Sequence, residues 1–386
     1  MIPYGKQSIN QADIDAVVSV LQSDYLTQGP QVPAFEKTVA NYCGAQYGVA
    51  VNSATSALHI ACLALGLGEG DWLWTSPNTF VASANCARYC GAAVDFVDID
   101  SRTYNLCADK LEEKLIQAKA KNRLPKIVIP VHFAGQSCDM QRIHKLSQEY
   151  GFKIIEDASH AIGGRYLDKP IGGCQYSDIT VFSFHPVKII TTAEGGVATT
   201  NQPGLLEKMQ LLRSHGVTRE AHLMDQALEG PWYYQQVDLG FNYRMTELQA
   251  ALGVSQMTRL DEFVSKRHQL AQRYFDVLKK MPLVLPFQGA NARSSLHLFP
   301  ILLPNELQRA VVFNQLRERG LGVNVHYIPV HSQPYYRKQG FQVSDFPNAQ
   351  AYYKRAISIP LHQGLTNQEQ DYVVDCLSVL FEMSSD

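Results

Sequence analysis

Phe152-Lys153-Ile154-Ile155-Glu156-Asp157 is an apolar run of strand length that closes on two carboxylates. Four runs of the same kind precede it, at 48–51, 72–75, 94–99 and 126–131, and two follow, at 179–182 and 196–199. Between these runs apolar residues recur at helical spacing over 56–65, 82–90, 109–116 and 142–146. Short buried strands alternating with helices define βαβ units. The fold class is therefore α/β, with a mostly parallel seven-stranded sheet covered on both faces. Functional groups in such a sheet gather at the carboxyl ends of the strands. The stretches 52–55, 75–80 and 157–160 each follow a strand directly, which puts three polar clusters on one rim.

The 386 residues exceed what one ordinary core fills, so a large and a smaller domain are expected. A helical pattern runs unbroken from Leu248 to Leu278, and Pro282, Pro286 and Gly289 mark its end. The expected division is a large domain over 1–250, then a long connecting helix and a small α+β C-terminal domain over 251–386. The elements of the small domain read as strands at 298–303 and 323–327 and helices at 310–319 and 368–381.

Bulk properties exclude several classes. A net charge of −2 and a pI near 6.6 leave no basic field to attract nucleic acid or an acidic membrane. No apolar run reaches the roughly 18 residues of a membrane span, and Met1-Ile2-Pro3-Tyr4 is not a signal leader, so a cytoplasmic protein is expected. Charged residues make up 18%, below the usual fraction of about 25%, as when another subunit covers part of the surface. None of the eight cysteines forms a C-x-x-C pair. Cys86 and Cys90 stand at helical spacing with no nearby His to complete a zinc set, which points to buried thiols and no metal.

Lys188 closes the run Ser183-Phe184-His185-Pro186-Val187-Lys188, with Ala193-Glu194-Gly195-Gly196 close behind, and lies 31 residues after Asp157. A lysine able to form a Schiff base and an aspartate at a strand end are the minimum kit for pyridoxal 5′-phosphate (PLP) chemistry. Alone, this pair is a weak signal, because an Asp closing a strand is as often a helix cap. A third feature strengthens it. Asn52-Ser53-Ala54-Thr55-Ser56-Ala57 sits between a strand and a helix, where small residues let backbone N–H groups approach a phosphate. Its plain alternative is a Ser/Thr N-cap. In the PLP reading Asp157 keeps the pyridine nitrogen protonated. Phe80 stacks on a ring face or is an ordinary core aromatic. His160 approaches the phenolate oxygen or is a core histidine. Asn242, in the loop 240–245, is a helix cap or a phosphate contact, and Tyr4 and the stretch 26–30 carry no chemistry by themselves.

Five stretches together resemble the DegT/DnrJ/StrS family of sugar aminotransferases, a branch of the fold-type I PLP enzymes. They are Leu26-Thr27-Gln28-Gly29-Pro30, Asn52 through Leu58, Phe80-Val81-Ala82-Ser83-Ala84-Asn85, Ser183 through Lys188, and Val325-His326-Tyr327. The resemblance spans essentially the whole chain. It implies that Lys188 is the PLP-bearing lysine and acid/base, that Asp157 partners the pyridine nitrogen, and that the Ala54 and Thr55 backbone and Ser183 hold the phosphate. It further implies that Asn242 reaches the neighbouring subunit's cofactor, giving a homodimer with shared sites. Tyr4, Leu26, Thr27, His326 and Tyr327 would line the nucleotide-sugar site. L-glutamate is the implied amino donor. The implied acceptor is a UDP-linked 4-keto-6-deoxy-N-acetyl hexosamine aminated at C4, as in pseudaminic acid biosynthesis. Open alternatives are a perosamine- or bacillosamine-type keto sugar, or another fold-type I activity such as a desulfurase or an aldolase-type lyase. Ala193 stands where many relatives have Gly, a change a small residue tolerates. Relatives that act as dehydratases carry His in place of the lysine, and Lys188 argues against that chemistry.

Overall fold

The structure is a computed structural model that describes residues 1–382. Its centre is a seven-stranded sheet of β1 (Tyr47–Val51), β2 (Trp72–Thr75), β3 (Ala93–Phe96), β4 (Ile127–Ile129), β5 (Lys153–Asp157), β6 (Ile179–Ser183) and β7 (Gly196–Thr200). The spatial order is β1-β7-β6-β5-β4-β2-β3. All neighbours are parallel except β7, which runs antiparallel to both β1 and β6. The reversal has a local cause. Parallel neighbours need a long crossover, usually a helix, but the loop 184–195 folds back on itself, with Phe184 N–H donating to the Gly195 carbonyl at 3.0 Å and Thr192 N–H to the Phe184 carbonyl at 3.0 Å. β7 thus starts at the rim where β1, β2, β5 and β6 end.

Apolar layers cover both faces. On one side Ala57, Leu58, Ile60 and Ala61 of the helix Ala54–Ala64 pack with Met209 and Leu212 against Val49, Val181 and Ala198. On the other, Phe35 and Val39 of the helix Gln31–Cys43 meet Phe182, Phe184 and Val197, while Leu111, Leu115 and Ile143 pack on Val128 and Ile154. Helix and sheet come closest at Gly196, where a Cβ would stand 2.6 Å from the Ala54 nitrogen, so only glycine fits.

A further apolar cluster joins the later part of the helix Leu260–Leu278 to the helices Arg309–Glu318 and Asn367–Glu382 and to the antiparallel pair Phe299–Leu302 and Ala356–Ile359. Ile2–Pro3 pairs in parallel with Leu321–Gly322, which brings Tyr4 into this region.

Three expectations need correction. The helical pattern from Leu248 to Leu278 is two helices, Glu247–Met257 and Leu260–Leu278. Thr258 donates its hydroxyl back to the Ser255 carbonyl, and the Arg259 guanidinium is held by Asp13 and by the Ser8 carbonyl. The stretch 323–327 is not a strand. Only Asn324 bridges to Ser358, while Tyr327 N–H donates to Asn78 Oδ1 and the His326 carbonyl accepts from the Tyr352 hydroxyl. Side chains there take the place of a neighbouring strand. The third and fourth runs also yield shorter strands than their apolar lengths suggest. Asp98 Oδ1 caps Ile99 N–H beyond β3, and Pro130, which has no N–H, follows β4.

Candidate active site

The shared rim opens into a cavity of about 920 Å³. The loop after β6 supplies Lys188. Buried Phe184, Ile189 and Ile190 anchor this loop, and Lys188 N–H donates to the His185 carbonyl at 2.8 Å. Loss of hydration pulls the Lys188 pKa down to about 8, against the opposing pull of the Asp157 charge. At pH 7 roughly a tenth of the amine is therefore neutral and nucleophilic, against well under a thousandth at the ordinary lysine pKa.

Asp157 ends β5 and is buried. Its Oδ2 accepts from Ser83 Oγ at 2.6 Å and its Oδ1 from Ser159 N–H at 3.0 Å. The Thr79 hydroxyl lies 2.7 Å from Ser83 Oγ. Because the Ser83 hydrogen is committed to Asp157, Thr79 is the donor in that contact. Two donors hold the carboxylate on its closed side and leave its charge facing the cavity.

The helix Ala54–Ala64 begins at the same rim. Ser53 is extended at its N-cap and accepts from Ser56 N–H at 3.1 Å, and Ser56 Oγ donates to Asn52 Oδ1 at 2.6 Å. The N–H groups of Ala54 and Thr55 then have no acceptor within the described chain and face the cavity beside Ser183. A helix N-terminus with unpaired donors is an anion site.

The opposite wall is built of imidazoles and tyrosines. Ala134 N–H donates to His160 Nδ1 at 3.3 Å, and His160 Nε2 lies 3.0 Å from the Tyr327 hydroxyl. A backbone N–H can only donate, so Nδ1 is the acceptor and the neutral ring carries its hydrogen on Nε2. Burial first, then the nearby Lys188 and His326, hold His160 well below the usual histidine pKa. His326 bonds Ser358 Oγ at 2.8 Å, and burial, reinforced by Lys188, lowers its pKa to about 3. Tyr4 packs edge-on against His326, with ring centres 5.0 Å apart. Buried His297 stands with its ring centre 4.4 Å from that of His160, and its Nδ1 has no partner among the described residues.

Of the residues singled out from the sequence, Tyr4, Ala54, Thr55, Phe80, Asp157, His160, Ser183, Lys188, His326 and Tyr327 line one cavity. Phe80 is 60% exposed at its mouth, with its ring centre 6.4 Å from that of Tyr327. Leu26, Thr27 and Asn242 do not line it. They lie exposed along one extended stretch, where Asn242, Arg244 and Thr246 bridge in turn to Ser214, Val51 and Thr27. The sequence reading missed Ser83 as the second hold on Asp157, and it missed His297. Ser83 lies within a quoted stretch, but nothing in its spacing links it to a carboxylate 74 residues away. His297, inside the apolar run 296–303, gave no signal.

A buried carboxylate, a desolvated lysine amine and two free N–H donors at a helix start fit the ring nitrogen, carbonyl and phosphate of PLP. Fold and site define a fold-type I PLP-dependent aminotransferase. The sequence matches the DegT/DnrJ/EryC1/StrS aminotransferase family over residues 7–378, and the chain belongs to that family. Its enzymes are sugar aminotransferases. It is 39% identical over 382 residues to the spore coat polysaccharide biosynthesis protein SpsC of Bacillus subtilis, covering 97% of this chain and 96% of that one. It is 38% identical over 385 residues to a UDP-4-amino-4,6-dideoxy-N-acetyl-beta-L-altrosamine transaminase of Campylobacter jejuni, covering 99% and 98%. Among solved structures, Helicobacter pylori PseC, an aminotransferase of pseudaminic acid biosynthesis, superposes with a TM-score of 0.91 at 31% identity, covering 99% of each chain. A sugar aminotransferase of Streptococcus pneumoniae solved in its PLP form superposes with a TM-score of 0.89 at 28% identity, covering 99% of each chain. Among the described residues no helix is long and apolar enough to cross a membrane.

Proposed function

We propose that the enzyme moves the amino group of L-glutamate to C4 of a UDP-linked 4-keto-6-deoxy-N-acetyl hexosamine. The observation that carries this reading is the desolvated Lys188 amine and buried Asp157 carboxylate in one cavity with Tyr4, His326 and Tyr327. The 38% identity to the altrosamine transaminase over nearly the full length supports the acceptor. SpsC, 39% identical and named for spore coat polysaccharide biosynthesis, leaves room for a second reading, another nucleotide-linked 4-keto sugar.

PLP, when bound, supplies an electrophilic carbonyl and an electron sink. The chain's own residues do the rest. Lys188 anchors the cofactor, and its Nζ then takes the proton from Cα of the amino donor and later delivers a proton to C4 of the sugar. Asp157 keeps a positive charge on the ring nitrogen. The Ala54 and Thr55 N–H groups and Ser183 would hold the phosphate and Phe80 would cover a ring face, while His160, its one N–H turned to the Tyr327 hydroxyl, lines the same cavity.

The test is an absorbance spectrum of the PLP-loaded protein. Glutamate should move the cofactor band to shorter wavelength, and one UDP-4-keto sugar from a panel should restore it. A band indifferent to glutamate would sink the aminotransferase reading. Restoration only by perosamine-type or bacillosamine-type precursors would select the second acceptor.

We also assign a homodimer with shared sites. Ile14, Val18 and Leu21 of the helix Gln11–Leu21, with Tyr25, Leu26, Trp232, Tyr234 and Leu239, leave much apolar surface exposed, as a subunit interface would. Asn242, Leu26 and Thr27 are exposed and stand outside this chain's own cavity, which leaves them free to reach a partner's. Mixing Lys188→Ala protein with Asn242→Ala protein after unfolding and refolding should give activity above either parent, because one site of each hybrid regains both residues. No regain would refute the sharing. All eight cysteines are free thiols, which suits a reducing compartment, and we place the enzyme in the cytoplasm.

A further inference from the structure

Arg267, on the helix Leu260–Leu278, is fully buried, yet its hydrogen-bond partners are all neutral. Its Nη1 donates to the carbonyls of Leu296 at 3.2 Å, His297 at 3.2 Å and Leu361 at 2.9 Å, and its Nη2 to Gln363 Oε1 at 3.0 Å. Burial lowers its pKa only to about 9, so it is still a cation at neutral pH. An uncompensated buried charge is a poor way to stabilise a fold. What a guanidinium provides that an apolar side chain does not is a rigid fork that fixes several carbonyls at once.

Those carbonyls lead to the site. The peptide that joins Leu296 to His297 accepts from Arg267 at its oxygen and donates, through His297 N–H, to the Ala134 carbonyl at 2.9 Å. Ala134 N–H is the donor that sets His160 Nδ1 as acceptor. From the same segment Ser295 Oγ donates to the His160 carbonyl at 2.7 Å, and Ser295 N–H to the Gly135 carbonyl at 3.1 Å. His160 Nε2–H therefore meets the lone pair of the Tyr327 hydroxyl, whose own hydrogen is left for the cavity. Bonds in such a chain polarise and orient one another.

We infer that Arg267 is a positioning residue for the sugar side of the reaction: by fixing the segment 294–298 it orients Ala134 and His160, so that Tyr327 stands as a hydrogen-bond donor to an oxygen of the keto sugar. This rests on the keto-sugar reading above.

The test is a double-mutant cycle on kcat/KM for the UDP-4-keto sugar that the holoenzyme uses. Arg267→Lys keeps the charge but replaces the fork with a single point. Tyr327→Phe removes the donor. Each should lower kcat/KM by about tenfold, the worth of one hydrogen bond. The double variant should fall no more than about twofold below Tyr327→Phe alone, because residues acting through one another are not additive. Multiplying losses would overturn the inference, since a purely structural role has no reason to pass through Tyr327. Should Arg267→Lys not fold, Gln363→Met, which strips one arm of the clamp, carries the same cycle.

A readout that needs no turnover is the nitrogen spectrum of 15N-histidine-labelled apoprotein. His160 should be a single Nε2–H tautomer in the parent and a mixture in the Arg267 or Gln363 variant. An unaltered His160 signal refutes the inference. If the parent accepts no keto sugar, the substrate reading fails, and this spectrum still decides the role of Arg267.

Discussion

Lys188→Ala should lower turnover at least about 10³-fold, because it removes both the covalent hold on PLP and the proton carrier, and a positioned acid/base alone is worth about 10² to 10⁴. The fold should survive. The lowered pKa of Lys188 means that burial outweighs the attraction of the Asp157 charge, so on balance its surroundings disfavour the ammonium ion and losing it costs the fold little. Among the described residues the side chain also makes no hydrogen bond that would leave a buried partner stranded. A melting temperature within a few degrees of the parent, together with a cofactor band that glutamate no longer moves, is the expected pair of results. Near-parental turnover would remove Lys188 from the mechanism. Collapse of the melting temperature would mean that the loop 184–195 depends on the amine, contrary to its apolar anchors Phe184, Ile189 and Ile190.

How much of this was legible in the sequence follows from which forces are local. The seven apolar runs became seven strands because a strand buried on both faces must be apolar at nearly every position. Strand order then carried the polar residues at 52–55 and 157–160 to one rim, and the placement of Asp157 opposite Lys188 follows from sheet direction more than from their spacing. What the sequence hid is side-chain chemistry across long separations. Ser83 reaches Asp157, Arg267 reaches Leu361, and Tyr352 takes the His326 carbonyl that a neighbouring strand would otherwise have met. The helix break at Thr258 and Arg259 belongs to the same class, since Arg259 is drawn to Asp13, more than 240 residues earlier. Apolar periodicity carries no trace of such contacts.

Asp157 offers the sharper test, because its two effects run in opposite directions. Asp157→Asn keeps the shape: the amide oxygen still accepts from Ser159 N–H, and the Ser83 hydroxyl can turn to accept from the amide. Only the charge is lost. Without it the pyridine nitrogen is no longer held protonated, and kcat/KM should fall on the order of 10² to 10³-fold, as when one preorganised electrostatic group is removed. The Asp157 charge also raises the pKa of Lys188, partly offsetting the larger effect of burial. Removing that charge must then move the amine pKa further down from about 8. Only the neutral amine captures an aldehyde, so PLP capture by the apoprotein should rise with pH and level off above the amine's pKa. In Asp157→Asn that plateau should begin at lower pH, leaving capture below pH 8 relatively faster even as turnover is lost. Stopped-flow capture rates from pH 6 to 10 decide the matter. An inflection that stays in place or moves to higher pH would show that Asp157 does not act on Lys188 through its charge.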